Sequence, residues 1–140
     1  MDQALVKAYQ TTDYVVCDRQ REVSIRVGRR SREVDRLLAR FGEPSAVFIT
    51  AWNPFSRSLT PRQNEHRQRC LLAYLRARRA ALLMGEGRGT CADWPPEASV
   101  LIFGISQGVA ARIGRAWGQN AVVFVALGRP AQLLLLRVRK

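Results

Sequence analysis

The stretch "FITAWNPFSRSLTPRQNEHRQRCLLAYL", residues 48–75, decides the fold, because a strand and a helix meet in it through a polar loop. It continues an apolar, β-branched run, Ser45–Ala51, which predicts a strand covered on both faces. Thr60, Pro61 and Gln63 then provide an N-cap, a favoured first helical residue and a capping box. We therefore predict a buried strand, a polar loop and a long helix in succession.

Strands and helices alternate on both sides of this unit. Before it, strands over 14–17 and 22–27 precede a helix that begins after Ser31 and stops at Gly42. The long helix of this unit is predicted over 61–80. After it, the pattern predicts a helix over 107–117, capped by Ser106, and four strands over 81–86, 99–104, 120–126 and 131–138. This alternation predicts a single α/β domain over residues 1–140, with a mixed sheet of five or six strands and about three helices.

Composition excludes several classes of protein. The three cysteines, Cys17, Cys70 and Cys91, form no Cys-x-x-Cys pair, and His66 is the only histidine, so neither a disulfide framework nor a metal site is expected. The first ten residues have no secretory pattern, and no apolar stretch approaches ~20 residues, the length that spans a membrane. We expect a cytoplasmic protein without a membrane partner; the oligomeric state is left open.

The net charge of +12 is carried almost entirely by arginine. Such a balance is typical of proteins that bind nucleic acid, but the arginines are spread along the chain and the bias can follow genomic base composition. A nucleic-acid partner is therefore possible but not favoured. We further expect Arg76, Arg78 and Arg79 to lie apart from Arg112 and Arg115, since their two helices can cover opposite faces of the sheet.

Topology predicts that polar residues from separate segments meet at one edge of the sheet. If the strands over 45–51 and 81–86 run in the same direction and 99–104 returns antiparallel, then Asn53, Glu97 and Ser99 share an edge with Gln119. Helix N-termini at that edge would favour an anion.

Two polar residues occupy core positions of the long helix. Asn64 and Arg67 precede the core residue Leu71 by seven and four positions, so both should point towards the sheet. A buried amide or guanidinium needs partners, which could be Asn53, Glu97, Gln119, loop carbonyls or a ligand. Purely structural roles are also open: Asn53 as a turn residue, Arg67 and Glu97 as a salt bridge, and Gln119 as the cap of a helix end.

Two further motifs are expected to be structural. The segment "GEGRG", Gly85–Gly89, invites comparison with a phosphate-binding loop but lacks the following Lys-Ser/Thr, which favours a flexible loop. His66 lies four residues before Cys70 on one helix, which could form a nucleophile pair, although a buried cysteine beside a surface histidine is favoured.

Several motifs, taken in order, carry a resemblance to a known family: "Y..T.Y" (Tyr9, Thr12, Tyr14), "FITAWNP" (48–54), "N..R...L" (Asn64, Arg67, Leu71), "W..E.S" (Trp94, Glu97, Ser99), "FGIS" (103–106) and "GQNAVVFV" (118–125). Over nearly the whole chain, this set resembles a bacterial family known as domain of unknown function 3293. The resemblance implies a small bacterial cytoplasmic protein and implies no activity. Pro96 stands where the family is usually acidic, which weakens a mechanism with two carboxylates in this loop.

We therefore expect a polar crevice that binds a small anionic or nucleotide-like ligand. Arg67 would pair with its charge, Asn53, Asn64 and Gln119 would orient it beside Ser99, and Glu97 is the candidate acid–base group. No nucleophile or metal set is complete and no cofactor is indicated, so enzymatic activity is left open. The alternatives are a nucleic-acid-binding module that uses its arginine-rich surface, and a protein–protein adaptor whose motif is purely structural.

Overall fold

A computed structural model describes residues 2–90 and 95–136 of the chain. Its α-helices are Gln3–Thr11 (α1), Arg32–Phe41 (α2), Pro61–Ala77 (α3) and Gln107–Ala116 (α4). Its strands are Asp13–Asp18 (β1), Arg21–Ile25 (β2), Ser45–Ile49 (β3), Leu82–Arg88 (β4), Glu97–Phe103 (β5), Ala121–Ala126 (β6) and Gln132–Leu135 (β7). None of the described helices is long and apolar enough to cross a membrane.

All seven strands belong to one sheet in the order β2-β1-β4-β5-β3-β6-β7, and every neighbouring pair is antiparallel. The α/β class is confirmed, whereas the prediction of a mixed sheet with five or six strands is wrong. Strands β3 and β4 do run in the same direction, but β5 inserts between them and pairs antiparallel with both. The sheet curls, and an isolated parallel bridge joins Val27 to Ala131 beside its two edge strands.

Side-chain alternation along the strands divides the core into two clusters. Leu37 and Leu38 of α2 belong to one cluster, together with Phe48 of β3. The other contains Leu71 of α3 and Val47 of β3. Strand β3 is therefore covered on both faces, as its continuous apolar run predicts.

Helices α3 and α4 cover the same face of the sheet. Leu75 of α3 and Ala110 of α4 belong to one core cluster, and the rings of Tyr74 and Trp117 pack edge to face with their centroids 6.0 Å apart. The expectation that the sheet separates the arginines of these helices is therefore wrong. The reason is the insertion of β5: the crossovers before and after it both return over one face.

The residues predicted to begin and end the helices are confirmed in those roles. Ser31 and Ser106 accept hydrogen bonds from the N–H groups of Val34 and Val109, and Thr60 and Gln63 form the reciprocal capping box. Gly42 ends α2 in the left-handed conformation, with φ 67°. The N-terminal helix α1 was not predicted, although Asp2 caps it by accepting from the N–H of Ala4.

The segment Gly85–Arg88 lies in β4, so the expectation of a flexible loop is wrong there. A Cβ atom at position 85 would lie 2.4 Å from the carbonyl oxygen of Val15 and 3.0 Å from the ring of Phe48. Glycine is therefore required for close approach of backbone and ring, not for chain flexibility. Cys91, Trp94 and the end of the predicted last strand lie outside the described residues.

Candidate functional site

A cavity of about 250 Å³ opens at the edge where β3 and β4 end and β5 and β6 begin. Helix α1 lies along its other side and contributes Leu5 and Tyr9. The Tyr14 hydroxyl donates a hydrogen bond of 2.6 Å to the Tyr9 carbonyl, which ties the end of α1 to β1. The cavity thus lies between the sheet and the N-terminal helix.

Four of the six residues singled out from the sequence line this cavity: Asn53, Glu97, Ser99 and Gln119. Asn64 and Arg67 do not line it; they lie behind it on α3 and bind the loop that follows β3. The predicted residues therefore come together at one sheet edge, in two distinct positions. One group faces the cavity and the other holds the cavity wall.

Asn53 joins these two groups. Its backbone N–H donates to Asn64 Oδ1 at 2.8 Å, and its Oδ1 accepts from Asn64 Nδ2 at 2.9 Å. Its Nδ2 donates to Glu97 Oε2 at 3.0 Å across the cavity wall. The Leu59 N–H also donates to Asn53 Oδ1 at 3.0 Å, so one amide links β5, α3 and the loop between β3 and α3.

The polar residues at core positions of α3 form a latch on the loop 51–53. Arg67 Nε donates to the Ala51 carbonyl at 2.7 Å, and its Nη2 donates to the Trp117 carbonyl at 2.6 Å. Gln68 Oε1 accepts from the Ala51 N–H at 2.9 Å. These hydrogen bonds hold the loop in position, although Gln68 Nε2 is left without a hydrogen-bond partner among the described residues. Gln68 was missed from the sequence, although it lies four residues after Asn64 on the same buried face.

The remaining predicted residues are also fixed by backbone contacts. Gln119 Nε2 lies 3.1 Å from the Trp52 carbonyl and 3.3 Å from the Trp117 carbonyl, and donates to both. Ser99 is buried and its hydroxyl donates to the Glu97 carbonyl at 2.9 Å. These bonds fix the conformation of the cavity wall.

The loop beside the cavity is strained. Asn53, Phe55 and Ser56 all have left-handed backbones, with φ of 45°, 55° and 59°. Such residues persist only where surrounding contacts hold them, at a cost of about 1 kcal/mol or more each. The Phe55 N–H donates to the Gly118 carbonyl at 2.7 Å, and Asn120 Nδ2 donates to the Ser56 hydroxyl at 2.8 Å.

The electrostatics of the cavity differ from the sequence-based expectation. Glu97 is the only charged residue among the described residues that line it. Burial raises the pKa of this carboxyl, and the hydrogen bond from Asn53 opposes the rise. Burial also raises the pKa values of Tyr9 and Tyr14, so both phenols are neutral hydrogen-bonding groups near pH 7.

None of the first-turn residues of α3 or α4 lines the cavity. The first N–H groups of α3 are capped by Thr60, and α4 begins after the end of β5, at the opposite edge of the sheet. The start of α3 and the C-terminal end of α4 lie at this edge, as the predicted crossovers require. The expectation that helix dipoles favour an anion in this cavity therefore has no support in the geometry of α3 and α4.

Sequence reasoning missed the aromatic part of the cavity. Tyr9, Tyr14, Phe48 and Trp52 line it, in addition to hydroxyl groups such as that of Thr50. The two tyrosines belong to the motif "Y..T.Y", so a signal existed, but no helix was predicted over the first of them. Without α1, nothing placed Tyr9 opposite the strand ends.

Cys70 and His66 lie on the exposed surface of α3, with Cys70 Sγ 3.6 Å from His66 Nε2. The expectation of a buried cysteine is wrong, because position 70 faces away from the core stripe that contains Leu71 and Leu75. Neither residue lines the cavity.

Comparison with known proteins identifies a family. No curated protein and no solved structure matches the chain. The sequence profile of a family described as "Protein of unknown function (DUF3293)" matches residues 49–122. This match covers more than half of the chain and includes all six residues discussed above. The chain therefore belongs to the DUF3293 family.

Proposed function

We propose that the cavity binds a small neutral or cationic organic molecule that carries hydrogen-bond donors. The observation that carries this proposal is the position of Glu97, a half-buried carboxylate in a wall otherwise made of aliphatic and aromatic side chains, amides and hydroxyls. A concave, largely apolar site with a few convergent polar groups is the usual form of a small-molecule site.

Charge supports this class of ligand over the anionic ligand expected from the sequence. That expectation relied on Arg67, whose Nε and Nη2 donate to the carbonyls of Ala51 and Trp117. An anion in the cavity would instead meet the Glu97 carboxylate without a described cationic side chain in the lining. An uncompensated like charge at a half-buried site is unfavourable, whereas an ammonium group would pair with it.

Shape and hydrogen bonding support an aromatic or similarly flat group. Trp52, Phe48 and the two tyrosines contribute ring surface on different sides of the cavity. Aromatic pairs and cation–π contacts each contribute roughly 0.5–1.5 kcal/mol beyond burial. Glu97 then acts as the acceptor that orients the ligand, and its raised pKa makes it the candidate proton acceptor in any reaction at this site.

The test uses three probes that share a phenol ring on a two-carbon chain: tyramine, tyrosol and 4-hydroxyphenylacetate. We expect tyramine to bind at least ~10-fold more tightly than the acid, a difference of about 1.4 kcal/mol, with neutral tyrosol between them. Ligand-observed NMR titration at pH 7 measures all three. Glu97→Gln should bring the three affinities within about threefold of one another.

Two variants make the result specific. Glu65→Gln removes one negative charge from the exposed surface of α3 and should leave every affinity unchanged. Gly87→Val adds a side chain at a position that lines the cavity, where a Cβ atom has its nearest neighbour at 3.7 Å, and should reduce binding of all three probes. Tighter binding of 4-hydroxyphenylacetate than of tyramine would refute the charge argument, and no binding by any probe would refute the cavity as a site for this class.

A further inference from the structure

We infer that the exposed surface of α3 binds the phosphate backbone of double-stranded nucleic acid through an arginine stripe formed by Arg62, Arg69 and Arg76. This surface is separate from the cavity: none of the three residues lines it. The inference therefore does not rest on the proposed ligand.

The stripe follows from helical geometry. Its members are spaced by seven residues, two turns of an α-helix, so they lie on one side of α3. All three are exposed, whereas the core stripe of the same helix contains Asn64, Gln68 and Leu71. Residues 62 and 76 are about 21 Å apart along the helix axis, the length of about six base pairs at 3.4 Å each.

In the part of the chain that the structure describes, the arginines of α3 and α4 are free of carboxylate partners. Arg26, Arg30, Arg40 and Arg88 each pair with a carboxylate on β1, β2, β4 or α2. Within the described residues, no arginine of α3 or α4 forms a salt bridge. Arg29, Arg32 and Arg36 around α2 form no salt bridge with a described residue either, but they alternate there with the paired Arg30 and Arg40 and with the carboxylates of Glu33 and Asp35.

The helix layer also concentrates the charge. Residues 61–79 and 106–118 contain eight arginines and one acidic residue, Glu65, which is a net +7 of the chain's +12. Because α3 and α4 share a face, these charges act on one side of the sheet. Exposed guanidinium groups without carboxylate partners are suited to phosphate, which they bind with two parallel hydrogen bonds.

The exposed surface disfavours two other anionic partners. Among the described residues, the large exposed apolar side chains are Phe55, Met84, Leu127 and Leu135, none of them on α3 or α4. A helix that lies in a membrane surface needs an exposed apolar face, and a single-strand site needs exposed aromatic rings for base stacking. Tyr74 is half-buried, packed against Trp117 and covered by the Arg78 guanidinium at 3.7 Å.

The experiment measures binding of a fluorescein-labelled 20-base-pair DNA duplex by anisotropy between 50 and 200 mM salt. The test variant is Arg62→Gln/Arg69→Gln/Arg76→Gln, in which glutamine preserves helix propensity. The matched control, Arg29→Gln/Arg32→Gln/Arg36→Gln, removes the same charge from exposed residues before and within α2. A third variant, with lysine at positions 62, 69 and 76, preserves the charge.

We expect the glutamine variant in α3 to bind the duplex at least ~30-fold more weakly at 50 mM salt, with a salt slope lower by about 3, one for each lost phosphate contact. The control and the lysine variant should stay within about threefold of the wild type. Equal losses in the test and control variants would overturn the inference, because the effect would then be one of net charge. So would absence of duplex binding at 50 mM salt, or preferential binding of a dT20 strand or of phosphatidylserine vesicles.

Discussion

Asn64→Ala provides the sharpest test of the latch that α3 makes on the loop 51–53. Asn64 is 2% exposed and makes two hydrogen bonds below 3.0 Å with Asn53, plus a longer one of 3.4 Å to the Leu59 carbonyl. Truncation leaves the Asn53 N–H without its acceptor, which costs about 1–3 kcal/mol, and removes a donor bond of about 1 kcal/mol. Higher helix propensity of alanine returns up to ~0.7 kcal/mol.

The expected net loss is therefore about 2 kcal/mol in the free energy of unfolding, or roughly 7 °C in Tm for a chain of this size. Urea unfolding followed by circular dichroism measures it, with an unchanged m-value as the sign that the unfolded state is the same. Glu65→Ala, on the exposed side of the same helix, should stay within about 0.5 kcal/mol of the wild type.

A second variant separates side-chain bonds from backbone strain. Asn53→Gly keeps the N–H that Asn64 accepts and suits the φ of 45°, so it should cost only about 1–2 kcal/mol. The double variant should cost less than the sum of the two, because they share the bond between Asn64 Nδ2 and Asn53 Oδ1. A loss below 0.5 kcal/mol for Asn64→Ala, or full additivity, would refute the latch.

Three further predictions concern the sheet, the second latch residue and pH. Gly85→Ala should lose about 1–3 kcal/mol of stability, because its Cβ would lie 2.4 Å from the Val15 carbonyl oxygen. Gly87→Ala on the same strand should lose less than about 1 kcal/mol, and urea unfolding measures both losses. Equal losses would contradict the argument that the backbone of Val15 approaches Gly85 too closely for a side chain. Arg67→Lys should cost about 1.5–3 kcal/mol, since one ammonium cannot reproduce the fork that reaches two separate carbonyls, and wild-type stability would refute this role. Because burial raises the pKa of Glu97, the folded state holds this proton more tightly than the unfolded state. Stability from protonated Glu97 is therefore lost as pH rises from 4.5, the ordinary pKa of a glutamate, through its raised pKa in the folded protein. Over that window the stability of Glu97→Gln should rise relative to the wild type, as measured by unfolding against pH. A pH-independent difference would contradict this prediction.

Much of the local structure could be predicted because its causes are local. The capping box at Thr60, the serine caps and the left-handed Gly42 each involve groups within a few residues of one another, so the chain alone specifies them. The polar residues Asn53, Glu97, Ser99 and Gln119 reached one sheet edge because strand directions follow from the order of strands and crossovers.

The sequence by itself thus determined which segments form most of the strands and helices, and which polar side chains gather at one edge. Tertiary structure alone decided the order of the strands, the shared face of α3 and α4, and the position of α1 over the cavity. Insertion of β5 between β3 and β4 depends on competition among long-range pairings, which no local pattern encodes. The same is true of Arg67, whose position on α3 follows from helical periodicity but whose partners, Ala51 and Trp117, are brought to it only by the packed sheet.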